Sequence, residues 1–205
     1  KWVKQSIHYW CPDTKEHKFL GQNVTVAILD TGISPHPDFK DRILSFRDFY
    51  QVTTGSSEKV FFLSLISPLL IDNSGHGTHV AGILAGSGLL SSGTYAGIAP
   101  FCNLIIGKVL DQNGNGSIKN VINGIQWIRD IYTQFHIRII NISVGTRPDL
   151  SIHQKLLLLN AVESLWDLGL VVVVSAGNYG PAPGSVTVPG SSRKLSLLVF
   201  PTLFL

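Results

Sequence analysis

The feature that most constrains this chain is Val24–Leu29 (VTVAIL), an apolar run with no polar alternation. A strand with one wet face alternates apolar and polar residues. An unbroken run instead predicts a strand buried on both faces, as in a parallel sheet. Leu104–Leu110 (LIIGKVL), Ile137–Ser143 (IRIINIS) and Leu170–Ala176 (LVVVVSA) read the same way. Helical patterns lie between them. Ser117 is a natural N-cap for Ile118, Val121, Ile122, Ile125, Ile128 and Ile131 at helical spacing. Ser151 opens a second helix running to about Leu168, with Gly169 as its stop. His76–Ala85 (HGTHVAGILA) makes a third, after Asn73-Ser74-Gly75. Strand–helix–strand repetition implies right-handed crossovers. It predicts an α/β fold: a doubly wound parallel sheet with helices on both faces.

With 205 residues, 44% hydrophobic and 14% charged, the chain can bury a core as one domain, which excludes a disordered tail. No repeat or long linker divides it. Sixteen Lys and Arg against 13 Asp and Glu leave a net charge of +3, and no basic run is interleaved with aromatics. Nucleic acid is therefore not an expected partner. The longest apolar stretches, Val60–Ile71 and Leu195–Leu205, fall short of the ~20 residues a spanning helix needs, so no membrane span is expected. Cys11 and Cys102 have no metal-type spacing and are too few for a disulfide framework. Both read as free thiols, which points to a reducing compartment. The chain begins at Lys1, has no methionine and shows no signal-peptide pattern, as a mature portion or a fragment would.

In a parallel sheet, functional groups collect beyond the carboxyl ends of the strands. Asp30 closes the first run, followed by Thr31-Gly32, and His76 falls in the first turn of the third helix. A helix N-terminus disfavours imidazolium and a nearby carboxylate favours it, so the two influences oppose each other there. Taken singly, Asp30 is an ordinary turn residue, His76 a structural histidine and Asn178 a left-handed turn residue beside Gly177. His76 and His79 also raise zinc, but a His-Glu-x-x-His signature needs an acid that Gly77 and Thr78 do not supply. No metal site is expected. Gly86-Ser87-Gly88 raises a phosphate loop, yet it follows a helix rather than a strand, and nucleotide binding is set aside.

The combination is far more specific. Val26-Ala27-Ile28-Leu29-Asp30-Thr31-Gly32-Ile33 and Gly75-His76-Gly77-Thr78-His79-Val80-Ala81-Gly82 resemble the Asp and His signatures of the subtilisin-like serine proteases (subtilases, peptidase family S8). They stand in that family's chain order, Asp then His then Ser. Gly97-Ile98-Ala99-Pro100 with Leu104–Leu110 resembles the family's next core strand, Asn141–Gly145 its substrate-binding strand and Ser175–Asn178 its oxyanion segment. The resemblance implies that Asp30 orients His76, that His76 is the general base and then acid, and that the Asn178 amide donates to the tetrahedral oxyanion. A donor of that kind in a family member is worth roughly 3–4 kcal/mol in the transition state. It also implies a polypeptide substrate gripped by Gly114, Asn115 and Gly116 on one side and Ser143, Val144 and Gly145 on the other. Ala85–Gly97 is closer in look to intracellular bacterial subtilases and carries no carboxylate. The cytoplasm is the expected compartment, with secretion left open because the amino terminus lacks an initiator. Asp38 matches a position that sometimes binds calcium in the family. One carboxylate is too few ligands, so Asp38 is read as a turn or capping residue and no cofactor is expected.

Three segments depart from the pattern. The family's Gly-Thr-Ser-Met-Ala-type nucleophile motif does not occur; the serines after Asn178 are Ser185, Ser191, Ser192 and Ser196. Lys59–Ile71 (KVFFLSLISPLLI) is an atypical apolar insertion, and Leu195–Leu205 (LSLLVFPTLFL) an atypical apolar tail. The expected organisation is an N-terminal extension over 1–22, a C-terminally incomplete subtilase domain over 23–194 and the tail over 195–205. A shifted reading frame accounts for both apolar stretches. The chain alone is expected to be an inactive fragment, with faces and a strand edge uncovered, or alternatively a non-catalytic peptide-binding module.

Overall fold

The computed structural model describes residues 19–50, 70–146 and 149–198. Cys11, residues 59–69 of the apolar insertion and the end of the tail beyond Leu198 lie outside them. Among the described residues, six strands form one sheet: β1 (Thr25–Asp30), β2 (Ile43–Asp48), β3 (Asn103–Lys108), β4 (Ile137–Ile142), β5 (Val171–Ser175) and β6 (Ser196–Leu198). Their spatial order is β2-β3-β1-β4-β5-β6, and every neighbouring pair is parallel. The long helices are α1 (His76–Ala85), α2 (Ile118–Ile131) and α3 (Ile152–Asp167).

β1 is central, and all six of its residues are buried. Val26 and Ile28 join Ala81 and Ala85 of α1 in one core layer. Ala27 and Leu29 join Ile125 and Ile128 of α2 and Leu158, Val162 and Leu165 of α3 in the other. Burial on both faces explains the unbroken apolar run. The buried stripe of α1 is Gly77, Ala81 and Ala85, side chains small enough to bring its backbone close to the sheet. Ser117 caps α2 by accepting from Asn120 N at 3.1 Å. Ser151 and Gln154 form a capping box on α3, and Gly169 ends that helix with φ +82°.

Strand limits differ from the sequence expectation by one or two residues. Asp30 is the last residue of β1, one position past the apolar run. β2 has no counterpart in the sequence reading: ILSFRD is an edge strand with only Ile43 and Ser45 buried. Part of the tail set apart as atypical, Ser196–Leu198, pairs in register with Val173–Ser175. At the other end, Leu20 is buried and its carbonyl accepts from Phe101 N at 2.9 Å, so the body of the domain begins before residue 23. No helix among the described residues is long and apolar enough to cross a membrane.

From β1 the chain runs out to β2 at the edge and returns through β3. It then crosses β1 to β4 and continues outward. The direction of winding reverses at β1, which opens a crevice beyond the carboxyl ends of β3, β1 and β4. Because β1 is covered on both sides, Ile28→Ala and Leu29→Ala should each lower unfolding free energy by about 2–5 kcal/mol in urea denaturation. A strand with one wet face would show that loss at only one of the two positions.

Candidate active site

Asp30 stands at the winding reversal. Its carboxylate is fully buried, and Oδ1 lies 2.7 Å from His76 Nδ1. The same oxygen accepts from Thr31 N at 2.7 Å, while Oδ2 is buried without a hydrogen-bond partner among the described residues. The imidazole is 53% exposed, so one ring nitrogen meets a fixed acid and the rest faces the crevice. A carboxylate partner on Nδ1 places the neutral ring's proton there and leaves Nε2 as the acceptor.

Local sequence explains how two residues 46 positions apart meet. Gly75 takes φ +83° at the N-cap of α1, a left-handed conformation that turns the chain into the helix with His76 as its first residue. Gly77 then lies against the β1 turn: a Cβ there would collide with Gly32 O and sit 3.1 Å from Gly32 N. Asp72 ties the two pieces together. It accepts from Thr31 Oγ1 at 2.8 Å on the β1 side, and from Gly75 N at 2.9 Å and Thr78 N at 2.8 Å on the helix side, with Thr78 Oγ1 also donating to it. Thr31 Oγ1 accepts in turn from Gly77 N at 2.9 Å. Asp72 had no assigned role in the sequence; an acid just ahead of a helix was the available signal.

A second unanticipated residue is Lys108, buried at the end of β3 and level with Asp30 across the β1–β3 pair. Its ammonium donates to Thr31 O at 2.6 Å and Leu110 O at 2.8 Å.

The two glycine-bearing segments flank Asp30 at the same sheet edge. Beyond β3, Asp111 closes the loop through Gly114-Asn115-Gly116: its carboxylate accepts from Asn113 N and Asn115 N, each at 2.8 Å. Asn115 is exposed, and Gly114 has nothing near its Cβ position. Beyond β4, Ser143 is held by Asn141 Nδ2 at 2.8 Å, and Val144 O accepts from Ser175 Oγ at 3.2 Å. Leu29 pairs with Ile142 and Ile142 with Val174, so Asp30 and Ser175, the last residues of β1 and β5, stand level with Ser143 just past β4. Asn178 is exposed three residues past Ser175. Gly177, not Asn178, takes the left-handed turn position, at φ +88°. A Cβ on Gly177 would sit 2.5 Å from Thr187 Oγ1, and one on Gly145 would sit 3.4 Å from Gly177 Cα. The two segments are packed together, which fixes where Asn178 leaves the sheet.

Among the described residues, no serine hydroxyl is hydrogen-bonded to His76. Ser192 Oγ donates to Glu163 Oε1 on α3 at 2.6 Å, well away from the crevice in the fold. Cys102 precedes β3 at the opposite sheet edge, and burial pushes its thiol up to about 11. Asp38 accepts from Gly88 N at 3.0 Å and Leu90 N at 3.3 Å, fixing the turn after α1. No group of three or more His, Cys, Asp or Glu side chains converges among the described residues.

An acid–imidazole pair at the switch point of a parallel α/β sheet, flanked by two glycine-bearing segments, defines a class of hydrolase site. The profile of the Subtilase family matches residues 21–199. The chain belongs to that family. It is 40% identical over 180 residues to serine protease AprX of Bacillus subtilis, covering 85% of this chain and 37% of that protein. It is 36% identical over 162 residues to the major intracellular serine protease of the same organism, covering 78% and 44%. The solved structure of Sphericase matches with a TM-score of 0.72 at 29% identity, covering 90% of this chain and 56% of that one. The chain spans less than half the length of these two curated relatives.

Burial raises the Asp72 carboxyl, but the Thr78 hydroxyl and amide, Thr31 and Gly75 outweigh it and hold the group below its ordinary value. A carboxyl depressed in the folded state stabilises the fold above its unfolded value, near pH 4, and that stability is lost as pH falls through the lower folded value. Asp72→Asn should therefore be less stable than the parent at neutral pH and show a flatter loss below about pH 4. Thermal unfolding across pH 2–7 reads both.

Proposed function

We propose that Asp30, His76 and Asn178 are three parts of a serine endopeptidase site whose nucleophilic serine these 205 residues do not supply. The carrying observation is the 2.7 Å hydrogen bond from a half-exposed imidazole to a fully buried carboxylate at the winding reversal. In this reading Asp30 holds the Nδ1–H tautomer and stabilises imidazolium when it forms. His76 Nε2 takes the serine proton during attack and returns it to the leaving amine. Asn178 donates its amide to the oxyanion. The substrate is a polypeptide laid in extended form between Gly114–Gly116 and Ser143–Gly145. Gly114 has open space at its Cβ position, and the substrate backbone pairs with the two segments by main-chain hydrogen bonds.

The reading includes no cofactor, and it is supported by Asp38, whose carboxylate is already engaged by two backbone N–H groups. It also includes the cytoplasm as compartment, a proposal that rests on the sequence alone. Without a serine, the orienting acid and the base have nothing to activate, and the chain alone is proposed to be inactive. The same absence favours a second reading, a peptide-binding module that uses both flanking segments without hydrolysis.

A fluorophosphonate probe reacts only with an activated serine. The 205-residue chain should remain unlabelled and leave casein uncut; labelling would contradict the proposal. Translating the downstream nucleotides in all frames then separates the two readings. A Gly-Thr-Ser-type motif supports the peptidase half-site, and a chain extended through it should label, with His76→Ala lowering turnover by about four to six orders of magnitude. Absence of such a motif from every frame would leave the binding module.

A further inference from the structure

Lys108 is a charged side chain in the interior, only 3% exposed, and burying an ammonium is costly unless it is fully engaged. Its hydrogen-bond partners are carbonyls, Thr31 O and Leu110 O, rather than a carboxylate. Both carbonyls begin segments that the site depends on. Thr31 follows Asp30, and Leu110 leads into the Asp111–Gly116 loop. The lysine stem also runs beneath Gly32, where an added Cβ would lie 3.4 Å from Lys108 Cδ. On its other side the Thr31–Gly32 peptide carries Gly77 of α1, which leaves no room for a methyl group. Backbone bonds reinforce the same junction: Asp30 O accepts from Val109 N at 2.9 Å and Leu110 N at 3.2 Å.

We propose that Lys108 is a positioning residue, its buried ammonium fixing the Thr31–Gly32 peptide on which the first turn of α1 rests. Its effect on chemistry passes through that peptide to the Asp30–His76 hydrogen bond and through Leu110 to the flanking loop. The inference rests on the assignment of Asp30 and His76 as orienting acid and base.

The test needs no turnover. In the intact chain, proton NMR of His76 should show a low-field Nδ1–H resonance that Asp30→Asn removes. Lys108→Met, which keeps the stem and loses all donors, should lose that resonance while the remaining spectrum stays dispersed. Lys108→Gln, which keeps donors without charge, should retain it. A resonance absent from the parent chain overturns the Asp30–His76 assignment itself. One present in the parent and unchanged in Lys108→Met overturns only the role of Lys108, leaving it a core residue. If neither variant folds, Lys108 is a stability element alone and the positioning claim falls.

Discussion

The junction between the Thr31–Gly32 peptide and the first turn of α1 carries the rest of the site. Strand β1 presents Asp30 from a fully buried position, and helix α1 presents His76 from its first residue. Neither element alone brings the two within 2.7 Å. What does so is a close backbone contact allowed by Gly77, bound together by Asp72 and braced from below by Lys108. Backbone contacts of this kind are stiff, because a few tenths of an ångström meet hard repulsion rather than a rotatable side chain. An acid and a base held this way are set before any substrate arrives, which is how preorganised sites avoid rearranging during reaction.

The same junction explains why function collects at this edge of the sheet. Winding reverses at β1, so the loops after β3 and β4 diverge to opposite sides of Asp30. One carries Gly114–Gly116 and the other Ser143–Gly145, and Gly145 is packed against Gly177, next to Asn178. Topology thus places the Asp30–His76 pair between the two loops. The identity of the residues then decides what the site can do.

Much of this was legible in the sequence. The unbroken run before Asp30 announced a two-sided strand, and His76–Ala85 was legible as a helix. The Asp and His motifs named the family. β2 was not legible, because an edge strand buried at only Ile43 and Ser45 lacks the pattern that marks interior strands. Asp72 and Lys108 were missed for a different reason. Their decisive bonds span 41 and 77 residues of chain, so neither periodicity nor local spacing registers them. Lys108 in particular sits inside an apolar run, where a lone lysine reads as an interruption rather than a brace.

β1 and α1 hold His76 with its proton toward Asp30 and its other nitrogen bare toward the crevice. Nitrogen-15 chemical shifts of the His76 ring in the neutral form read this directly. The structure predicts a protonated Nδ1 and an unprotonated Nε2. A ring with its proton on Nε2 would contradict it, since such an imidazole could neither donate to Asp30 nor accept a proton from a nucleophile.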